Sequence, residues 1–262
     1  MSDTYRSVPV IEDDADPLVT GANFGKGRIQ RDYVAQPLGF GSGIKRFDLP
    51  LIPRSEWDER IEEMTRTQSR LSDFCDAMGV KVKNQQSTNY CWINAPVHCL
   101  EIVRAVQGQR YVELSPASVG AKIKNFRNEG GWGTEGLQYL VETGCVPSER
   151  WPSNAIDRRY DKASNNDLRE LYRVDEWLDL PVGNFDAVAT CLLNRIPVAI
   201  GLNWWGHEVT AIDLVKLDGR GRYGSLIGNS WGEDWGERGR AVLTEEKAKP
   251  DDAVAPTSAV AS

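Results

Sequence analysis

The spacing of apolar residues changes character part-way along the chain, and no other feature narrows the fold as much. Up to about residue 194 the apolar positions recur at three and four residues, the period of a helix with one buried face. Ser55-Glu-Trp-Asp opens a first helix, with Ser55 as cap and acids in its first turn; it runs to about Met78 and ends at Gly79. A second helix, from about Asn89 to Val106, carries Trp92, Ala95, Cys99, Ile102, Val103 and Val106 on its buried face and stops at Gly108. Leu114-Ser-Pro begins a third, the stretch from Thr134 forms a fourth that ends at Gly144, and Asp186 to Asn194 forms a short fifth. Beyond them, Pro197-Val-Ala-Ile-Gly-Leu, Glu208 to Val215 and Ser225-Leu-Ile-Gly are short strand-type runs. Asp218-Gly-Arg-Gly supplies a hairpin turn between the last two. Helices followed by strands predict an α+β protein of two packed lobes.

The two ends depart from this pattern. Residues 1–50 hold an acidic stretch (Glu12, Asp13, Asp14, Asp16) and the glycine-rich segments beginning at Gly21 and Gly39. They read as an extended arm. Tyr5, Phe24, Tyr33, Leu38, Phe40 and Phe47 give it apolar surface to bury, so it is either a solvated tail or an arm lying on its own domain or on a partner. Residues 248–262 are low in complexity and read as a flexible tail. The domain between spans 51–247, with a helical lobe at about 51–168 and a β lobe at about 169–247.

Composition removes several classes of function. No apolar run approaches membrane-span length, and a formal charge of -7 disfavours binding nucleic acid through the global field. Two histidines, His98 and His207, leave no His-rich metal site, and His98 reads as a core residue. Five cysteines without CxxC spacing point to thiols in a reducing compartment, and the polar N-terminus shows no secretory signal. The expectation is a cytoplasmic protein without metal or membrane association. Cys75, Cys99, Cys145 and Cys191 read as buried thiols.

Chemistry concentrates in three segments. Cys91 stands at the first turn of a buried helix, where the helix dipole favours thiolate; alone, it would read as a small core residue. His207 lies at the mouth of a strand, and Asn229 follows another strand in the turn Gly228-Asn-Ser-Trp-Gly-Glu-Asp-Trp-Gly. A thiolate needs a base to hold and return a proton, and the imidazole needs a third group to fix its tautomer. Cysteine, histidine and asparagine in this chain order meet that need.

These residues resemble the motifs of the papain-like cysteine peptidases. Gln85 precedes Cys91 by six residues, as the family's oxyanion-hole glutamine precedes its nucleophile, and Trp92 follows. His207 matches the general base, Asn229 its orienting amide, and Trp231 the tryptophan that shields their hydrogen bond. Gly130 and Gly131 resemble the segment that pairs with substrate backbone in the non-primed cleft, with Trp132 beside them. The resemblance covers about residues 80–245. It implies a helical lobe packed on an antiparallel β-sheet or barrel lobe, with the active-site cleft between them. It also implies acyl transfer to Cys91, a peptide or protein substrate and no cofactor.

Departures from the family pattern lie around the cleft. Thr88 stands where a disulfide cysteine is usual, Asn89 and Tyr90 replace small residues, and Pro96 falls inside the central helix, where it should bend the axis. The connection from Pro197 to His207 is short, so the wall is rebuilt, with Trp204 and Trp205 as candidates. Glu208 replaces a small residue; facing the pocket it favours a basic substrate side chain, and facing away it is a solvated strand residue. Three readings result: an active endopeptidase; a papain-fold component of an assembly such as a virus or phage particle, anchored to protein partners by the arm; or a proenzyme whose arm fills the cleft.

Overall fold

The computed structural model describes residues 5, 7–16, 25–34 and 44–261. Its elements are β1 (Val10–Ile11), β2 (Ile44–Arg46), α1 (Arg54–Arg66), α2 (Leu71–Met78), α3 (Cys91–Val106), α4 (Ala117–Ile123), α5 (Gly133–Glu142) and α6 (Asn166–Leu171), followed by β3 (Val174–Asp179), α7 (Phe185–Leu193), β4 (Val198–Leu202), β5 (His207–Lys216), β6 (Tyr223–Gly228), β7 (Arg240–Thr244), α8 (Glu245–Ala248) and β8 (Asp252–Ala259). The strands form one eight-stranded sheet in the order β1-β7-β6-β5-β4-β8-β3-β2. The interior pairs are antiparallel as expected, whereas both edge strands, β1 on β7 and β2 on β3, run parallel to their neighbours. The class is α+β with the expected two-lobe, papain-like arrangement.

The first expected helix is two helices. Thr67 turns its hydroxyl back to the Glu63 carbonyl at 2.8 Å, and Gln68 takes φ of 51°. These local bonds compete with the helix ladder and end α1. Pro53, not Ser55, is the residue at its N-cap, and α2 restarts where the Asp73 carboxylate accepts the Arg70 amide at 2.9 Å. Both helices pack on the sheet: Trp57, Met64, Leu71 and Cys75 share a core with β4, β5, β6 and α7. The helical lobe therefore begins after them, correcting its expected start at residue 51.

Helix α3 is buried from Cys91 to Ala105 and lies between two cores. Ile102 and Ala105 join the sheet core, while Trp92, Ile93, Val97 and Leu100 join one built with α5. The helix runs on through Pro96, whose missing N–H leaves one ladder bond unmade.

The expected flexible tail is instead a strand inside the sheet. β8 is bounded by β4 and β3; Ala253 and Ala255 enter one core, and Val254 and Ala259 the other. A strand buried on both faces has no apolar–polar alternation to betray it. Pro256 also argues against a strand, yet β4 pairs only as far as Val254, so the ring lies where no β4 partner needs its N–H. Deleting residues 252–262 splits the sheet and should abolish the cooperative thermal transition followed by circular dichroism; a sharp transition near that of the full chain would contradict the placement of β8.

Candidate active site

The sheet and α3 place four expected residues around one cleft, with no hydrogen bond between Cys91 and His207. Cys91 is the first residue of α3, so its sulfur stands at the helix's N-terminal end beside the Trp92 amide. His207 opens β5 directly after the four-residue turn 203–206, where Gly206 takes φ of 62°. Thr210 ties β5 to α3 by donating to the Ala95 carbonyl at 3.3 Å. Asn229 follows β6, and its Oδ1 lies 2.8 Å from His207 Nε2. That contact assigns the proton to Nε2 and leaves Nδ1 as the free nitrogen, without a hydrogen-bond partner among the described residues.

Gln85 is oriented by its neighbours. Ser230 donates its hydroxyl to Gln85 Oε1, Gln85 Nε2 donates to the Thr88 carbonyl at 2.7 Å, and the Gln85 backbone amide donates to the Ser230 carbonyl at 2.7 Å. Trp231 stacks on the His207 ring at 4.5 Å with 26° between planes. Trp205 meets the same ring edge-on at 5.3 Å and Trp231 at 5.3 Å, and Trp204 stacks on Trp205 at 5.1 Å. Trp205, expected on the ligand-facing wall, is 2% exposed and encloses the imidazole.

Residues 25–31 of the arm run through this site. The Gly27 amide donates to Cys91 Sγ at 3.2 Å, and Gln85 Nε2 donates to the Gly25 carbonyl at 2.9 Å. Arg28 pairs in parallel with Gly131: the Ile29 amide donates to the Gly131 carbonyl at 3.2 Å, and the Gly131 amide to the Gly27 carbonyl at 3.0 Å. Trp132 Nε1 donates to the Gln30 carbonyl at 3.3 Å, and Trp231 Nε1 to that of Gly25 at 3.4 Å. A Cβ at Gly130 would collide with the Gly27 carbonyl, so the close approach requires glycine there. Beyond the site, Arg31 forms a bidentate pair with Asp179 at 2.7 Å on both arms, and Tyr33 donates to the Asp251 carbonyl at 2.6 Å. The arm thus lies on its own domain.

Glu208 is 1% exposed, so it is not a solvated strand residue. Sequence reasoning missed Arg28 and Asp252, whose charges act on Glu208, and Asn203, whose Oδ1 accepts from Arg28. Asp252 sat in an apparent tail and Arg28 in an apparent linker, where residue type alone gives no signal.

Burial beneath the arm sets the charge states. It pushes the Cys91 thiol up to about 12, with the Glu208 charge adding to it and the amides of Gly27, Glu208 and Trp92 opposing it. It pushes the His207 imidazole down to about 3, against the raising effect of the Asn229 bond and with Lys26 adding to the drop. The covered site therefore favours neutral thiol and neutral imidazole over the expected ion pair. His98, in the core, is pushed down to about 3 by the same cause. A histidine whose folded pKa is depressed contributes stability above the unfolded value near 6.5, and this is lost as pH falls toward 3. Ring nitrogen shifts measured by NMR should stay those of neutral imidazole for both histidines from about pH 8 to about pH 5; titration of His207 near the ordinary value would contradict this burial.

No family model matches the chain. Among curated proteins it is similar to cathepsin S of Bos taurus, 24% identical over 215 residues that cover 71% of this chain and 63% of that protein. It is similar also to cathepsin L 2 of Paramecium tetraurelia, 28% identical over 193 residues that cover 65% and 58%. The chain thus spans about three fifths of the length of these relatives. Among solved structures, digestive procathepsin L 3 of Tenebrio molitor aligns over 91% of this chain and 77% of its own, with a TM-score of 0.62 at 18% identity. Xylellain of Xylella fastidiosa aligns over 90% and 97%, with a TM-score of 0.60 at 16% identity. The bromelain protease of Ananas comosus, in complex with the E64 inhibitor, aligns over 72% and 97%, with a TM-score of 0.60 at 19% identity. By sequence and by fold, this chain is similar to the papain-like cysteine peptidases.

Proposed function

We propose that the chain is a cysteine endopeptidase held inactive by residues 25–31 of its own arm. The observation that carries this reading is that a peptide backbone already lies on the site's donors, with Gly27 at the sulfur, Gly25 at Gln85 Nε2 and Arg28 along Gly131. A site that binds backbone in this manner is built for peptides.

In the uncovered site, His207 Nδ1 takes the Cys91 proton and the sulfur attacks the scissile carbonyl. The Cys91 amide and Gln85 Nε2 hold the oxyanion. As the C–N bond breaks, His207 returns the proton to the leaving amine, and the acyl group remains on sulfur as a thioester. Water then attacks, giving its proton to His207, and the acid leaves as the thiol re-forms. Asn229 holds the imidazole in the required tautomer, and Trp231 keeps water from their bond.

The arm is a poor substrate for the site it covers. The oxygen at Gln85 belongs to Gly25, whereas the group at the sulfur is the Gly27 N–H, so no single carbonyl is presented to both. The reading as an assembly component needs an arm available to partners, and residues 25–31 are committed to the chain's own cleft.

Gly27→Val tests the reading in the full chain, because an added Cβ there would collide with the Asn89 carbonyl and unseat the arm without altering the cleft. The epoxide inhibitor E64 should add once to this variant, at least about tenfold faster than to the unaltered chain, in proportion to the uncovered fraction. Intact mass measures the adduct, and Cys91→Ala should abolish it. No Cys91-dependent adduct in either form sinks the proposal. In the uncovered variant, Gln85→Ala should lower kcat for a peptide substrate by about 100-fold or more, the usual loss for one oxyanion donor.

A further inference from the structure

One row of residues crosses three adjacent strands beside the cleft. Glu208 of β5 pairs with Gly201 of β4, and Gly201 pairs with Asp252 of β8. Cross-strand partners share a face of the sheet, so the row presents carboxylate, gap, carboxylate. The gap is needed: a Cβ at Gly201 would collide with Asp252 Oδ1 and with Arg28 Nε. Gly133, at the start of α5, lies so close to Glu208 Oε1 that a Cβ there would also collide.

Arg28 fills this gap, its side chain 2% exposed. Its Nη2 lies 3.2 Å from Asp252 Oδ1, and its Nη1 donates to Asn203 Oδ1 in the β4–β5 turn. Without a cation the row is unfavourable, because two buried carboxylates then face a gap with no compensating charge. Burial, with the Asp252 charge adding to it, pushes the Glu208 carboxyl well above the usual carboxylate range, and the Arg28 charge opposes this. Glu208 Oε2 is buried without a hydrogen-bond partner among the described residues. Arg28 attracts both acids, although its Nε and Nη2 make no aligned hydrogen bond among the described residues.

We infer that Glu208, Gly201, Asp252 and Asn203 form a socket for an arginine side chain of the peptide substrate, carried by the residue that pairs with Gly131. The inference rests on the proposed peptidase reading and adds its specificity. Arginine suits the socket better than lysine, because a planar fork spans the Asn203 and Asp252 oxygens together, whereas an ammonium is a point charge. The arm passes the sulfur before it reaches Gly131, in the sense opposite to a substrate whose acyl side lies along Gly131; in such a substrate the arginine beside the socket stands second from the scissile bond.

The test uses the full chain with Gly27→Val and acyl-X-Ala-coumarylamides in which X is Arg, Lys, Leu, Phe or Glu. Arginine should exceed leucine in kcat/KM by about 10- to 100-fold, the worth of hydrogen bonds to a charged group. Asp252→Asn should remove most of that ratio through KM. Equal use of arginine and leucine overturns the socket. If no substrate is cleaved, labelled peptides of residues 25–31, with and without Arg28→Leu, are titrated onto the chain carrying Cys91→Ala and Gly27→Val. Selective binding of the arginine peptide then keeps the socket and defeats the peptidase reading; equal binding overturns the socket.

Discussion

The pairing of β8 between β4 and β3 is the constraint on which the architecture depends. Without it, β1, β7, β6, β5 and β4 form one sheet and β3 and β2 another. The strand is made largely of small residues, which lets α3 lie close over it while both cores still reach it. It also delivers Asp252 to the cleft. A segment near the end of the chain thus closes the fold and sets the charge of the site.

Two opposing effects meet at Cys91. The helix end favours thiolate by about 2 kcal/mol at most in partly buried geometry. Complete burial costs an ion several kcal/mol, so burial wins in the covered site. The direction of the shift at both Cys91 and His207 follows from this comparison. Uncovering the cleft restores water to one side of the pair and reduces the larger of the two effects. The tryptophans around His207 pack on one another and on the turn after β6.

Much of this was legible in the sequence. Helix positions along α3, α5 and α7 follow from their apolar spacing, and Gly144 ends its helix with φ of 90°. The residues Gln85, Cys91, His207 and Asn229 were marked by their motifs: the last three sit at or beside element ends, and Gln85 lies in the loop before α3. What escaped was buried on both faces or came from far along the chain. Ala253, Ala255 and Pro256 have weak strand preference, so only their neighbours make β8 a strand. The break between α1 and α2 depends on a threonine hydroxyl turning back on its own helix. The row formed by Glu208, Gly201 and Asp252 exists only in the sheet's register, which the linear order hides.

The arm is secured on both sides of the segment that covers the cleft. Val10 and Ile11 pair at one edge of the sheet, and residues 44–46 pair at the other, with residues 25–31 crossing between. A segment tethered at both ends keeps a high effective concentration at its site even while momentarily lifted. A soluble peptide of equal affinity competes with it poorly. Lasting exposure of the cleft therefore calls for a break in the tether, which turns a reversible equilibrium into a single irreversible event for each molecule.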